Sequence, residues 1–187
     1  MTIVPDEKDW TWVLRRPCPE CGLNTRSFAR EEVPAMILAN AAAWRESLAA
    51  ADAARRPRPD KWSPLEYGCH VRDVLKLYDH RLALMLTEDD PLYPNWDQDE
   101  TAVADRYDIQ DPATVADELG AAAEAIAARF AGVAGDQWTR LGRRGDGAAF
   151  TVETFARYLV HDPVHHLYDV TGVPHELLTI SLTVHAG

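Results

Sequence analysis

Leu159-Val160-His161-Asp162-Pro163-Val164-His165-His166-Leu167-Tyr168-Asp169 concentrates more potential chemistry than any other stretch of this 187-residue chain, with three of its seven histidines in six positions. His161 and His165 are spaced i, i+4. On a helix such positions lie one above the other, roughly 6 Å apart, so their imidazoles can converge on one metal ion. Two ligands do not complete a site, and the third must come from another element. The best candidate is His70, in Glu66-Tyr67-Gly68-Cys69-His70-Val71-Arg72-Asp73-Val74. The competing account is that clustered histidines are surface groups or satisfied core polar groups. Pro163 adds a conflict. It removes the amide that would bond to the Leu159 carbonyl and disfavours helical geometry at Asp162. Either the helix kinks there or a new one begins with Asp162 as its cap, which leaves the choice between His165 and His166 open.

A second pair, Cys18 and Cys21 in Arg16-Pro17-Cys18-Pro19-Glu20-Cys21-Gly22, has the C-x-x-C spacing of a zinc knuckle or a redox pair. No second C-x-x-C follows, and the third cysteine, Cys69, precedes His70. Because the pair lies before the first helix and lacks partners at ligand spacing, it is expected to take no part in the bundle's catalytic site.

The elements that must position these groups read as four helices. The first starts near Glu31-Glu32-Val33-Pro34, carries a stripe of Ile37, Ala41, Trp44 and Leu48, and runs to about Ala54. Ser63-Pro64-Leu65-Glu66 is a capping box opening the second, which runs to about Thr87 and puts His70 on or beside its buried face. Asp111-Pro112 opens the third, with Val115, Leu119, Ala122, Ile126, Phe130 and Val133 at helical spacing. Thr151 caps the fourth, Phe150 staples onto Phe155, and Gly172 and Pro174 end it. Residues 88–110 form a long acidic and aromatic crossover suited to covering one end of a bundle and walling a pocket. Residues 136–149 read as a polar connection, and Leu177 to His185 could be extended. The expected fold is therefore all-α: a four-helix bundle over residues 27–187 with a long crossover connection, preceded by an irregular N-terminal arm over 1–26.

Composition narrows the function. A net charge of −11 argues against a nucleic-acid partner, since polyanion binding needs a basic footprint that the scattered arginine pairs do not supply. No apolar run approaches a membrane span, the start is polar, and three cysteines suit a reducing compartment, so a cytoplasmic location is expected. Arginine outnumbers lysine sixteen to three and alanine is abundant, a bias read as GC-rich coding.

Trp62-Ser63-Pro64-Leu65-Glu66-Tyr67-Gly68-Cys69-His70-Val71-Arg72-Asp73 and Tyr158-Leu159-Val160-His161-Asp162-Pro163-Val164-His165-His166, set in four long helices, resemble the DinB/YfiT-like superfamily of metal-binding four-helix bundles. The resemblance covers about residues 30–172. It implies His70, His161 and His165 as ligands of a divalent metal, zinc or nickel by imidazole preference. It also implies a stress-response setting and a thiol-dependent S-transferase joining a low-molecular-weight thiol to a small electrophile. The coding bias favours mycothiol over bacillithiol as that thiol. Arg143 and Arg144 are the candidates for gripping a carboxylated thiol cofactor, and a homodimer is carried as an expectation. Pro163 and the cysteine-bearing arm depart from the family pattern. Three neutral imidazoles leave open positions on an ion, as a catalytic site requires. With a thiol there the protein is a transferase, and with water a hydrolase. A non-catalytic bundle that binds metal or a partner is the third alternative.

Overall fold

The computed structural model describes residues 9–175, so the expectation for the tail beyond Leu177 lies outside the described residues. Four long helices form where the capping signals predict. α1 is Val33–Leu48, with Pro34 in its first turn. α2 is Pro64–Thr87, with Ser63 and Glu66 closing the capping box: Ser63 Oγ accepts from the Glu66 amide at 3.2 Å, and the Glu66 carboxylate accepts from the Ser63 amide at 2.8 Å. The crossover holds a two-residue strand β1 (Leu92–Tyr93) and a short helix α3 (Gln98–Ala104). α4 is Pro112–Ala131, capped by Asp111. α5 is Val152–Thr171, capped by Thr151 and ended at Gly172.

α1 and α2 each pack on both α4 and α5, so most neighbours in space are not neighbours in the chain. The shared core takes Ile37 and Trp44 from α1, Val74, Leu75 and Leu82 from α2, Leu119, Ile126 and Phe130 from α4, and Phe155 and Leu159 from α5. Each such side chain contributes about 1.5–3 kcal/mol of burial, which is what holds four amphipathic segments together. Val13 and Leu23 of the arm are buried too, and Leu23 joins this core with Cys18 and Cys21. Among the described residues of the arm, Trp10–Leu14 form a 3-10 turn.

Two expectations need correction. α1 stops at Leu48 rather than near Ala54. Local helix propensity favours continuing, but Ala53 is buried and its carbonyl accepts the Leu65 amide at 2.9 Å, so the chain turns early to meet the start of α2. The fold is also not strictly all-α. β2 (Leu141–Arg144) and β3 (Ala149–Thr151) form an antiparallel hairpin pairing Gly142 with Phe150, and β1 adds in parallel through Leu92 with Arg143 and Tyr93 with Arg144. The strands are two to four residues long, too short for alternation to show in the sequence, and β1 pairs across about fifty residues. The sheet ties the crossover to the entry of α5. No helix among the described residues is long and apolar enough to cross a membrane.

Candidate metal centres beside an aromatic cavity

Pro163 sits inside α5 without breaking it. The carbonyl of Pro163 accepts from Trp44 Nε1 at 3.2 Å and from Asn40 Nδ2 at 3.3 Å, so α1 braces the helix at the proline. Because the helix is continuous, the overlapping pairs His161/His165 and Asp162/His166 both keep i, i+4 spacing. They differ by one residue, which rotates one pair about 100° around the helix from the other.

That rotation divides the expected triad. His161 and His165 converge with Cys18 and Cys21, while His70 converges with Asp162 and His166; within each group one ligand atom from every residue lies within 4.8 Å of the others. The expected set of His70, His161 and His165 thus falls into two neighbouring groups. Cys18 and Cys21, expected to lack partners at ligand spacing, find them on α5, because the arm folds back across 147 residues of sequence to bring Cys18 Sγ within 3.6 Å of His165 Nδ1. Asp162 and His166 could have been found in the sequence. An aspartate four residues before a histidine has the same ligand spacing as two histidines.

In the first group, His70 Nε2 lies 3.4 Å from Asp162 Oδ1, and His166 Nε2 lies 3.9 Å from the same oxygen. The His70 and His166 rings meet edge to face at 4.8 Å, and Trp96 of the crossover stacks on His70 at 5.5 Å. His166 Nδ1 is 3.1 Å from Asp169 Oδ2, a carboxylate–imidazole contact that leaves Nε2 turned toward Asp162. Burial by itself would raise the Asp162 pKa, but the imidazoles of His70 and His166 outweigh it and hold the group in its carboxylate form. His70 is buried, yet neither ring nitrogen has a hydrogen-bond partner, and Asp162 Oδ1 has none either. Leaving such groups unpaired costs about 1–3 kcal/mol each, and an ion is one of the few things that relieves it. Two imidazoles and a carboxylate fit a divalent metal with positions left open.

In the second group all four residues are buried. Burial, with the nearby His165, pushes His161 down to about 4, and burial lowers His165 as well, so both imidazoles are neutral, as ligands must be. Burial pushes the Cys21 thiol up to about 12. Trp10 leans over both rings, 4.9 Å from His165 and 5.5 Å from His161.

His70, Asp162 and His166 of the first group and His161 and His165 of the second line a cavity of about 660 Å³, walled by Trp10, Trp96, Tyr78 and Tyr158 and bordered by Arg81 and Arg144. The aromatic crossover does wall it, as its composition suggested. Of the two arginines expected to grip a cofactor, only Arg144 faces the cavity, where it donates to Asp146 at 3.0 Å and to the Tyr158 hydroxyl at 3.4 Å. Arg143 is exposed and pairs with Asp90, since alternation along β2 sends it to the other face. Arg81 of α2 is the second cavity cation. It is 4 % exposed, donates to the Pro94 carbonyl at 2.7 Å, stacks 4.7 Å over Tyr93, and has no partner for Nε.

Fold and site together define a helical bundle carrying two candidate metal-ligand groups, one fully buried and one partly so, beside an aromatic cavity. Residues 9–170 match the family model of the DinB superfamily, and the chain belongs to that superfamily. Among solved structures it is similar to one described as "YfiT from Bacillus subtilis is a probable metal-dependent hydrolase with an unusual four-helix bundle topology", with a TM-score of 0.69 and 18 % identity over 84 % of this chain and 91 % of that one. No curated protein matches it.

Proposed function

We propose that the chain is a metal-dependent enzyme that joins a low-molecular-weight thiol to an electrophilic carbon, acting at His70, Asp162 and His166. The observation that carries this is the convergence of His70, Asp162 and His166, with His70 Nε2 and Asp162 Oδ1 facing each other at 3.4 Å and neither hydrogen-bonded, beside a cavity with two cations on its wall. This assignment keeps His70 from the set that the family resemblance implied and takes its α5 partners one residue further along. A divalent ion held there would lower the pKa of a thiol from about 8.5 into the neutral range. Depression by about two units raises the thiolate fraction at pH 7 roughly twenty-five-fold, offset in part by lower nucleophilicity.

The ligand set by itself serves either nucleophile, since two imidazoles and a carboxylate also hold the zinc of hydrolases; what supports sulfur is the smaller acidification it needs. Asp162 cancels part of an ion's charge, and a thiol needs far less acidification than water, whose pKa starts at about 15.7. Arg81 and Arg144 suit the carboxylate of a thiol cosubstrate of the mycothiol type. Trp96 covers His70 and limits water at that face. The thiol loses its proton to solvent, sulfur bonds to the electrophilic carbon, and the leaving group departs with the electron pair of the broken bond.

The test is to titrate metal-loaded protein with mycothiol, bacillithiol, glutathione and no thiol while following conjugation of a generic electrophile. Thiol-dependent turnover that disappears in His70→Ala and Asp162→Ala is expected. Metal-dependent cleavage of esters or amides without any thiol would replace this function with a hydrolase. A bound metal with neither activity would leave a binding bundle.

A further inference from the structure

We infer that Cys18, Cys21, His161 and His165 form a second, closed metal site, a tetrahedral zinc centre that clamps the N-terminal arm onto α5. This goes beyond the function proposed above and does not depend on it.

The four residues have the types, burial and spacing of a Cys2His2 site. Bonds of about 2.3 Å to sulfur and about 2.05 Å to nitrogen, meeting at the tetrahedral angle, put the ligands about 3.6 Å apart. Cys18 Sγ lies 3.6 Å from His165 Nδ1, which matches the edge of that tetrahedron. The other ring nitrogen of His165, Nε2, lies 3.8 Å from both Glu20 Oε2 and Asp169 Oδ2, so carboxylates stand where they orient a ligating imidazole. His161 Nε2 is buried without a hydrogen-bond partner. Both cysteines are free thiols, 1 % and 0 % exposed.

The arm is shaped to deliver them. The Cys18 amide bonds to the Leu23 carbonyl at 2.9 Å and the Gly22 amide to the Cys18 carbonyl at 3.0 Å, closing the knuckle turn. Gly22 takes φ +77°, a left-handed conformation that glycine adopts without strain. Arg157 of α5 reaches over to the Thr25 and Phe28 carbonyls, and the His175 amide bonds to the Cys21 carbonyl at 2.9 Å.

Chemistry selects the ion and the role. Thiolate–imidazole sets in tetrahedral geometry suit zinc, and two thiolates cancel its charge, so a neutral cluster is buried. Four protein ligands leave no open position, which marks a structural centre and separates it from the His70 group. Its position explains why it sits beside the cavity. Its α5 ligands His161 and His165 immediately precede Asp162 and His166, and the 3-10 turn of the arm it clamps carries Trp10 into the cavity wall.

The experiment measures metal content and zinc X-ray absorption on the full-length native protein, on His70→Ala and on the Cys18→Ser/Cys21→Ser double variant. His70→Ala is expected to retain one zinc per chain with two sulfur and two nitrogen neighbours, and the native protein to carry that sulfur-ligated zinc beside any ion of the His70 group. The double variant is expected to lose the sulfur-ligated ion. Should that variant fail to fold, the native protein itself decides: cobalt added after chelation is expected to give a thiolate-to-metal charge-transfer band, and both thiols should resist alkylation until chelator is added. A shell of nitrogen and oxygen alone, a Cys18–Cys21 disulfide in freshly purified protein, or thiols equally reactive with and without metal would each overturn the proposal. Loss of thiol-transfer activity alone bears on the His70 group, not on this one.

Discussion

Replacing Arg56 with alanine strands a buried carboxylate at the start of α2, and its cost can be worked from the contacts. Glu66 is 3 % exposed, and its carboxylate accepts from Arg56 Nε at 2.8 and 3.1 Å, from Arg56 Nη2, from the Ser63 amide at 2.8 Å and from Ser63 Oγ at 2.9 Å. Removing one partner of a fully buried pair costs about 3–5 kcal/mol, whereas an exposed pair contributes about 0–1. The Arg56 side chain is 35 % exposed, so water replaces it in part, and the expected cost is about 2–3 kcal/mol, or roughly 4–12 °C in Tm. The pH dependence follows from the same contacts. Burial alone would raise the Glu66 pKa, but Arg56 and Ser63 outweigh it and hold the carboxyl below its usual value. A depressed folded-state pKa contributes stability above the unfolded value, near 4.3, and loses it as pH falls through the folded one. In Arg56→Ala the burial effect is less opposed, so protonation relieves the variant while it weakens the native protein. Urea unfolding of both proteins from pH 7 to about pH 3.5 should show midpoints that converge in acid. A difference under about 0.5 kcal/mol at pH 7, or one that stays constant into acid, would refute the reasoning.

Three further outcomes are expected. Gly142→Ala would place a Cβ 2.6 Å from Met85 Cγ, and because Met85 is fully buried the overpacking should cost about 1–3 kcal/mol by thermal unfolding, less than additively with Met85→Ala. Asp169→Asn removes a carboxylate 3.1 Å from His166 Nδ1 and 3.8 Å from His165 Nε2, so competition with a chelator should show metal affinity falling about 10–100-fold with the fold intact by circular dichroism. Arg144→Ala should raise KM for a carboxylated thiol about tenfold while leaving KM for 2-mercaptoethanol unchanged, because only the carboxylated thiol uses that cation. Equal effects on both thiols would assign Arg144 to the cavity wall instead.

What the sequence alone determined was local. Ser63-Pro64-x-Glu66, Asp111-Pro112 and Thr151 with Phe150 mark the starts of α2, α4 and α5, because caps satisfy the first amides of a helix from within a few residues. The apolar spacing through Trp44 and Ile126 marks the buried faces of α1 and α4, and the histidine spacing marks α5 as the helix that carries chemistry. The tertiary structure decided everything that joins distant residues. Whether Pro163 breaks α5 was settled only in the fold, where the helix runs through it and Trp44 and Asn40 of α1 donate to its carbonyl. Which histidines share a site depended on a rotation of one residue around α5 and on which elements pack on each side: the arm with Cys18 and Cys21 on one, α2 with His70 on the other. The pairing of β1 with β2 and the turning of Arg81 and Arg144, but not Arg143, toward the cavity are likewise invisible in a linear pattern. A helix's periodicity tells which residues share a face, but only packing tells what that face meets.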